Sequence, residues 1–350
     1  MKKYYTRVCN FAYGKSSIKL INQKKALPLN GNVGISFSQI EIISRNSRKK
    51  INLKDIKKQS KTLRKKIERD LKIIIKKNKN FSSFNFKKIP NIMGVLNITP
   101  DSFSDGGKYD KKKLAINQAI NLYKNGANIV DVGGESTRPG AKSISVKQEW
   151  SRIHGAIKKI SKKIPLSLDT RKSEIMNKGI KIGVKLINDV SGLSYDTKTI
   201  DLLKRHKIPF VLQHSQGAPE IMQNNPYYKN ELLDIYDFFE ERIKFLRSKG
   251  IKHENIIIDP GIGFGKNLKH NLNLIKSVSI FHTLGFPILL GLSRKKFIKD
   301  LSGENDTKGR VGGTVGSSLY SLMQGVQILR IHDVNELMQG IKVFKKLIEN

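Results

Sequence analysis

Residues able to do acid–base, ionic or ligand-binding chemistry recur where short apolar runs stop, between residues 89 and 350. Each apolar run is typical of a buried strand, and the polar residues follow it directly. The positions, in chain order, are Asn97, Glu135, Thr137, Arg138, Asp169, Asn188, His214, Asp259, Lys295, Arg330 and His332. If the strands are parallel neighbours, their carboxyl ends meet on one face, so this spacing predicts a single site.

The residue types at these positions indicate a ligand. Asp169, Asn188 and Asp259 supply two carboxylates and an amide. An amide both donates and accepts hydrogen bonds, whereas an ionised carboxylate only accepts them. Such a set can pair with the donor and acceptor edge of a flat polar heterocycle. A second set is basic and suits an anion such as phosphate. Its members are Arg138, Lys295, Arg330 and His332. We therefore expect a cup that holds a polar ring carrying a phosphate or diphosphate.

No cluster of Cys and His has the spacing of a structural zinc site, so zinc is not expected. Carbonyl, carboxylate and phosphate oxygens suit Mg²⁺ instead. Mg²⁺ is therefore the predicted cofactor.

The elements that must position these residues follow one repeated pattern of strand, polar loop and helix. The first strand contains Ile92, Met93, Val95 and Leu96, and it breaks at Asn97 into the turn-rich stretch that ends at Gly107. The predicted strands end at Leu96, Val132, Leu168, Ile187, Leu212, Ile258, Leu290 and Leu329. Eight strands, each followed by a helix, predict an α/β fold of the (β/α)₈ TIM-barrel class. A doubly wound sheet is disfavoured because no GxGxxG opens a helix after the first strand.

Residues 1–88 lack this pattern and are predicted to form a small, basic α+β extension before a catalytic barrel at 89–350. Tyr4–Phe11 and Gly34–Ser44 contain strand-like runs, and apolar residues from Leu53 to Ile74 recur at helical spacing with a polar position at Ser60. Residues 78–88 are expected to be a polar linker that contains phenylalanines. With no chemical motif, the extension is interpreted as an accessory element.

The composition argues against several classes of protein: disulfide-rich, membrane-spanning, secreted and nucleic-acid-binding. The single cysteine, Cys9, excludes a disulfide framework, and no apolar run is long enough for a membrane span, which needs about 18 residues. The start lacks the apolar segment of a signal peptide, so a cytoplasmic protein is expected. The net charge is +37, and residues 1–90 contribute 25 Lys and Arg against 4 Asp and Glu. We interpret the excess as a solvated lysine coat and consider a nucleic-acid partner unlikely.

Several of the polar loops lie within longer motifs: GVLNITPDSFSDGG, IVDVGGESTRPGA, PLSLDTRK, INDVSG, IIIDPGIGFGK, GLSRKKFI and RIHDV. In order and spacing, the sequence closely resembles the dihydropteroate synthase family over residues 90–345. The resemblance implies a TIM barrel and a cytoplasmic, Mg²⁺-dependent transferase of folate biosynthesis, often a homodimer and a sulfonamide target. It also implies condensation of 6-hydroxymethyl-7,8-dihydropterin diphosphate with 4-aminobenzoate to give 7,8-dihydropteroate and diphosphate.

The resemblance also implies a role for each matching residue. Asn97 would bind Mg²⁺ on the diphosphate, and Asp169, Asn188, Asp259 and Lys295 would hold the pterin. Arg330 and His332, with Arg138, would hold the diphosphate. Thr137, Phe103, Phe264 and Ser293 would contact or close over the aminobenzoate. The expected catalytic set is Asp169, Lys295, Arg330 and His332.

One departure concerns the fifth strand, where the family usually has Met-His-Met-Gln-Gly. This chain has Gln213, His214, Ser215, Gln216 and Gly217, so two apolar contacts are replaced by polar ones.

The sequence leaves two alternatives to the transferase function. One is a methyltetrahydrofolate-binding methyltransferase module of the same fold, which the first loop and the Arg330/His332 pair disfavour. The other is a nucleic-acid-binding protein built on residues 1–88, which lack a recognised binding module.

Overall fold

The computed structural model describes residues 3–80, 83–86, 88–99, 108–136, 140–217 and 221–349. Residues 3–80 form a four-stranded antiparallel sheet with two helices, which we call the head. Its strands are β1 (Tyr5–Tyr13), β2 (Leu27–Leu29), β3 (Asn32–Ser44) and β4 (Ser47–Asn52). The long central β3 pairs with β1 along its length, and with β2 and then β4 in succession. The helices are α1 (Gly14–Asn22) and α2 (Lys61–Ile74).

Eight parallel strands follow and form the barrel. They are β5 (Asn91–Asn97), β6 (Ile129–Gly133), β7 (Leu166–Asp169), β8 (Leu186–Asp189), β9 (Phe210–Gln213), β10 (Ile256–Asp259), β11 (Leu289–Gly291) and β12 (Ile328–Ile331). The sheet runs in the order β10-β9-β8-β7-β6-β5-β12-β11. A bridge between Ile258 and Ile288 joins its two ends, so the sheet closes on itself. The predicted (β/α)₈ barrel is confirmed.

Helices alternate with these strands around the outside. They are α3 (Lys108–Lys124), α4 (Val146–Ile160), α5 (Ser173–Lys181), α6 (Thr199–His206), α7 (Glu231–Ser248), α8 (Leu268–Lys276), α9 (Lys296–Ser302), α10 (Val311–Met323) and α11 (Val334–Glu349). Some caps are visible in the sequence: Ser145 and Gln148 form a capping box at the start of α4, as Asn267 and His270 do for α8. No helix in the described ranges is long and apolar enough to cross a membrane.

The barrel interior is arranged in layers because alternate residues of a strand face the same side. One layer is apolar and consists of Met93, Ile129, Leu186, Val211, Ile257, Leu289 and Ile328, all buried together. Two residues further along five of these strands, polar residues replace the apolar ones, and together with Asp169 of β7 they form a polar layer toward the carboxyl ends. It contains Asp131, Asp169, Asn188, Gln213, Asp259 and Arg330.

The amino-terminal end of the barrel is filled by two aromatic side chains from the segment that precedes β5. Phe84 and Phe86 are 2% and 6% exposed and pack in the same cluster as the apolar layer. Asn91 holds this segment in place, since its Oδ1 accepts from the Asn85 N–H at 2.8 Å. The site face is thus the opposite end of the barrel.

The head packs on the outside of the barrel through β1 and α2. The β1 strand contacts the 3₁₀ helix Val278–Leu284, where Ser279 Oγ donates to the Val8 carbonyl at 2.9 Å. Tyr5 packs edge-on against Tyr236 of α7 and donates to Asp237 at 2.8 Å. Lys3 and Arg45 form ion pairs with acidic residues of the same helix. These contacts lie away from the polar layer.

One local prediction for residues 1–88 was wrong. The continuous helix from Leu53 is a 3₁₀ helix at Leu53–Lys58 followed by α2, and the break comes where Ser60 takes an extended backbone. Helix α1 and strands β2 and β4 were not predicted. In β4, exposed Arg48, Lys49 and Lys50 stand in place of an apolar run. The predicted polar linker includes the buried Phe84 and Phe86.

We predict that Phe84→Ala lowers the free energy of unfolding by about 3–5 kcal/mol, because it opens a cavity beneath the apolar layer. Urea denaturation measures the change, and Phe245→Ala on the exposed side of α7 is the control, with an expected loss below about 1 kcal/mol. Equal losses in the two variants would contradict the role of Phe84 as a plug.

Candidate active site

The polar layer lies where the strand order and register bring it together. Asp169 is paired in register with Asn188, and Asp259 with Gln213. Asp131, Asp169, Asn188, Gln213 and Asp259 are each less than 5% exposed. Burying so many polar groups is costly unless they find partners, so the arrangement indicates a binding site.

Arg330 crosses the barrel and joins two of these carboxylates. Its Nε donates to Asp131 Oδ2 and its Nη2 to Asp169 Oδ2, each at 2.7 Å. Asn188 Nδ2 also donates to Asp131 Oδ2 at 2.9 Å. The guanidinium thus holds side chains of β6 and β7, and Asp131 in turn holds Asn188 of β8.

The remaining oxygens of these side chains are free for a ligand. Asp131 Oδ1, Asp169 Oδ1 and Asn188 Oδ1 are buried and have no hydrogen-bond partner among the described residues. A buried acceptor without a partner costs about 1–3 kcal/mol. Three such acceptors on one floor suit a ring that presents several N–H donors.

Burial shifts the pKa values of the charged groups here. It raises the pKa of Asp169, where the Arg330 charge opposes it and Asp131 reinforces it. It also raises the pKa of Asp259, against a hydrogen bond from the Gly261 N–H. Burial and the Arg330 charge both lower the pKa of Lys295. Such shifts are typical of functional sites.

The loop after β10 packs tightly on the loop after β9. Gly261 and Gly265 both have positive φ, and a Cβ there would lie 2.0 Å from the His214 carbonyl oxygen and 2.6 Å from that of Gln216. Only glycine permits both the conformation and the approach. The two loops therefore form one wall of the cup.

A buried lysine holds this wall together. Lys266 is 2% exposed, and its Nζ donates to the Phe264 carbonyl at 2.9 Å and lies 3.0 Å from His214 Nδ1. Burial lowers the pKa of His214, and the Lys266 charge lowers it further. Lys266 thus cross-links the loops that follow β9 and β10.

Phe264 and Lys295 face each other across the opening. The Lys295 Nζ lies 4.1 Å from the Phe264 ring centroid, within the range of a cation–π contact. Met222 and Val190 pack with Phe264 in a small apolar cluster. The cup therefore has an apolar side next to its polar floor.

Ser293 and His332 lie together at the ends of β11 and β12. Ser293 Oγ is 3.0 Å from His332 Nδ1 and accepts from the His332 N–H at 3.2 Å. The neighbouring Arg294 pairs with Asp333. The pair Ser293–His332 therefore stands beside Arg330 at the carboxyl end of the barrel.

A network of buried ion pairs lies behind the loop that follows β6. Glu135 binds Lys172 at 2.9 Å and Arg171 at 3.1 Å, and Lys172 also binds Glu149 at 2.6 Å. Glu135 Oε1 further accepts from the Ile144 N–H at 2.9 Å. These contacts fix both ends of the segment 135–144 against the residues that follow Asp169.

The structure brings together, at one end of the barrel, all predicted site residues that it describes. They are Asn97, Asp169, Asn188, Asp259, Phe264, Ser293, Lys295, Arg330 and His332. Thr137, Arg138 and Phe103 lie outside the described residues. Arg330 differs in detail from the predicted basic rim, because its guanidinium bonds the floor carboxylates.

Sequence reasoning missed Asp131 and Lys266. Asp131 interrupts the apolar strand Ile129–Gly133, and an acid between two valines in a buried strand is a signal that could have identified it. Lys266 follows a glycine-rich turn and gave no such signal, since its burial depends on the fold of that turn.

Asn97 is the residue predicted to bind Mg²⁺. It ends β5 beside Gly133, where a Cβ would lie 3.5 Å from Asn97 Oδ1 and 3.5 Å from the Asp169 Cβ, so Asn97 lies next to the polar layer. The described residues contain no group of three His, Cys, Asp or Glu placed for a metal. Mg²⁺ takes oxygen ligands and keeps several waters, so the Asn97 amide oxygen would hold it together with substrate phosphates and water.

Comparison with known proteins adds to this geometry. The family model for pterin binding enzymes matches residues 93–332, which covers most of the chain. The chain belongs to the pterin-binding enzyme family. The polar floor described above lies within the matched residues.

Individual members of the pterin-binding family are similar to this chain over most of its length. The dihydropteroate synthase of Synechocystis sp. is 38% identical over 262 residues, 74% of this chain and 91% of that protein. Xanthomonas albilineans dihydropteroate synthase with 4-aminobenzoic acid aligns with a TM-score of 0.70 at 36% identity, over 74% of this chain and 93% of that one. The same enzyme with 7,8-dihydropteroate aligns with a TM-score of 0.68 at 32% identity, over 75% and 95%.

We predict that Arg330→Met lowers the free energy of unfolding at pH 7 by about 3–5 kcal/mol, because it leaves two buried carboxylates unpaired. Chemical denaturation measures the change, and Arg205→Met on the exposed side of α6 is the control. Adding Asp169→Asn to Arg330→Met should recover part of the loss. A loss no larger than that of Arg205→Met would show that the guanidinium does not hold the floor.

A second prediction concerns pH. Burial lowers the pKa of Lys266 to about 7, whereas an unfolded lysine titrates near about 10.4. Between these values the unfolded state binds more protons, so this group makes the free energy of unfolding rise with pH and is most costly below pH 7. The wild type should therefore gain stability relative to Lys266→Met between pH 7 and 9.5, measured by urea denaturation. The exposed Lys269→Met variant should run parallel to the wild type, and parallel curves for all three proteins would contradict the shift.

Proposed function

We propose that this protein condenses 6-hydroxymethyl-7,8-dihydropterin diphosphate with 4-aminobenzoate, forming 7,8-dihydropteroate and diphosphate. The observation that carries the proposal is the floor of three unpartnered acceptors, from Asp131, Asp169 and Asn188, at the carboxyl end of the barrel. A dihydropterin presents amino and ring N–H donors on one edge, which match these acceptors. The chain is a transferase of folate biosynthesis, in keeping with its relatives.

The residues of the cup divide the work in this proposal. Asp169, Asn188 and Asp259 hold and orient the ring, and the two carboxylates favour the cation that develops at the exocyclic carbon as diphosphate departs. Lys295 and His332 face the departing anion, with Arg330 behind them and Arg138 assigned there by motif. Asn97 would hold Mg²⁺, which supplies charge neutralisation to the diphosphate when bound.

The aryl amine then attacks the exocyclic carbon and loses a proton, so no protein nucleophile is required. Phe264, backed by Met222 and Val190, offers the aryl ring an apolar surface. Ser293 lies beside His332, where its hydroxyl can reach the aminobenzoate. Thr137 and Phe103 are assigned to the same substrate by motif alone.

A methyltetrahydrofolate-binding module is the competing function. Both ligands carry a pterin, so the floor alone does not separate them. The basic side chains of Lys295, Arg330 and His332 favour the substrate with a diphosphate. Turnover of methyltetrahydrofolate with a corrinoid acceptor, and none with pterin diphosphate, would reverse the assignment.

We also propose that the enzyme is a cytoplasmic homodimer with an accessory head. Large apolar side chains are exposed on α9, α10 and α11, which supports self-association. They are Leu301, Tyr320, Val343 and Leu347. Light scattering after gel filtration tests the dimer, and Val343→Lys with Leu347→Lys should shift it toward monomer. The head would contribute no catalytic group, because its contacts lie away from the polar floor.

The assay that tests the function measures dihydropteroate formed from the two substrates with Mg²⁺. We expect turnover by the wild type, loss of turnover with a chelator, and a fall in kcat/KM of at least about tenfold in Asp259→Ala, because a buried partner of the ring is removed. Asp201→Ala on the exposed face of α6 is the control. Wild-type kinetics in Asp259→Ala would remove that residue from the site, and an inactive wild type would reject the function.

A further inference from the structure

Gln213 ends β9 and belongs to the polar layer. It follows Val211, a member of the apolar layer, by two residues, so its side chain faces the barrel interior. It is paired in register with Asp259 and is 3% exposed. Its side chain therefore belongs to the same floor as the residues assigned to the ring.

The amide of Gln213 is not satisfied by the protein. Its Nε2 is buried and has no hydrogen-bond partner among the described residues. Leaving a buried donor unpaired destabilises the protein, and Met, which fills a similar volume without polar atoms, avoids this cost. The family that this chain resembles usually has Met here, so Gln is a feature of this chain.

We propose that Gln213 contacts the substrate and donates a hydrogen bond from Nε2 to an acceptor on the pterin ring, either its carbonyl oxygen or an unprotonated ring nitrogen. The inference rests on the proposed function, since it takes the pterin as the ligand of the floor. Gln213 is then a specificity-determining residue, at a position where this chain differs from the usual residue of the family.

The composition of the floor supports a donor at this position. Asp131, Asp169 and Asn188 each present a buried acceptor without a partner, and these match N–H groups of the ring. A dihydropterin also carries acceptors, which these three oxygens cannot satisfy. Gln213 Nε2 supplies a neutral donor on the same floor, beside Asp259.

The test compares Gln213→Met with the wild type by three measurements: calorimetric titration with 6-hydroxymethyl-7,8-dihydropterin, steady-state kinetics, and the Tm of the unliganded protein. We expect pterin affinity to fall by about fivefold or more, because a hydrogen bond made only with the ligand is lost. The KM for 4-aminobenzoate should stay within about twofold. The Tm should rise by about 2 °C, since an unpaired buried amide is removed.

Opposite signs for binding and stability separate this role from a structural one. A structural residue would lower the Tm and weaken both substrates together, and that result would overturn the proposal. Gln327→Met is the matched control, because Gln327 is also buried with an unpartnered Nε2 but lies at the amino end of β12. Its pterin affinity should equal that of the wild type.

Unchanged pterin affinity in Gln213→Met, with an active wild type, would overturn this inference and leave the proposed function intact. A wild type that binds no pterin would overturn both.

Discussion

The site depends on one guanidinium that two buried aspartates share. Arg330 enters the barrel from β12 and bonds Asp131 of β6 and Asp169 of β7. Without that cation, two carboxylates would face each other in a region from which water is largely excluded, and their charges would repel. With it, one oxygen of each aspartate is fixed and the other remains available. Electrostatic pairing thus orients the groups that are left open for the ligand.

Buried contacts also fix the apolar wall of the cup. Glycines at 261 and 265 let the loop after β10 approach the backbone of the loop after β9, and Lys266 then ties the two together through His214 and Phe264. A flexible wall would let the aryl substrate take many orientations, whereas a cross-linked wall limits them. The position of Phe264 is set by these buried contacts and not by its own packing alone.

The two ends of the barrel have opposite character, and this separates stability from function. Phe84 and Phe86 fill the amino-terminal end and continue an apolar layer that contains no charged group among the residues described. The carboxyl end carries charged and amide groups with unmet hydrogen-bonding capacity. The head packs on the outside of the barrel, and the chain continues from it into the segment that contains Phe84 and Phe86. Removal of the head would therefore affect the amino-terminal end of the barrel first.

The sequence by itself determined the barrel and most of its site, because eight apolar runs each end in a polar group and parallel strands align their carboxyl ends. It also indicated the chemistry, since the carboxylates and the amide of Asp169, Asn188 and Asp259 can pair with the edge of a polar ring. It could not show that Arg330 turns inward to Asp131, because that contact joins residues about 200 positions apart. Nor could it show that Lys266 is buried, that Gln213 lacks a partner or that Phe84 plugs the barrel. Those facts depend on which side chains share a layer, and only closure of the sheet decides which residues share one.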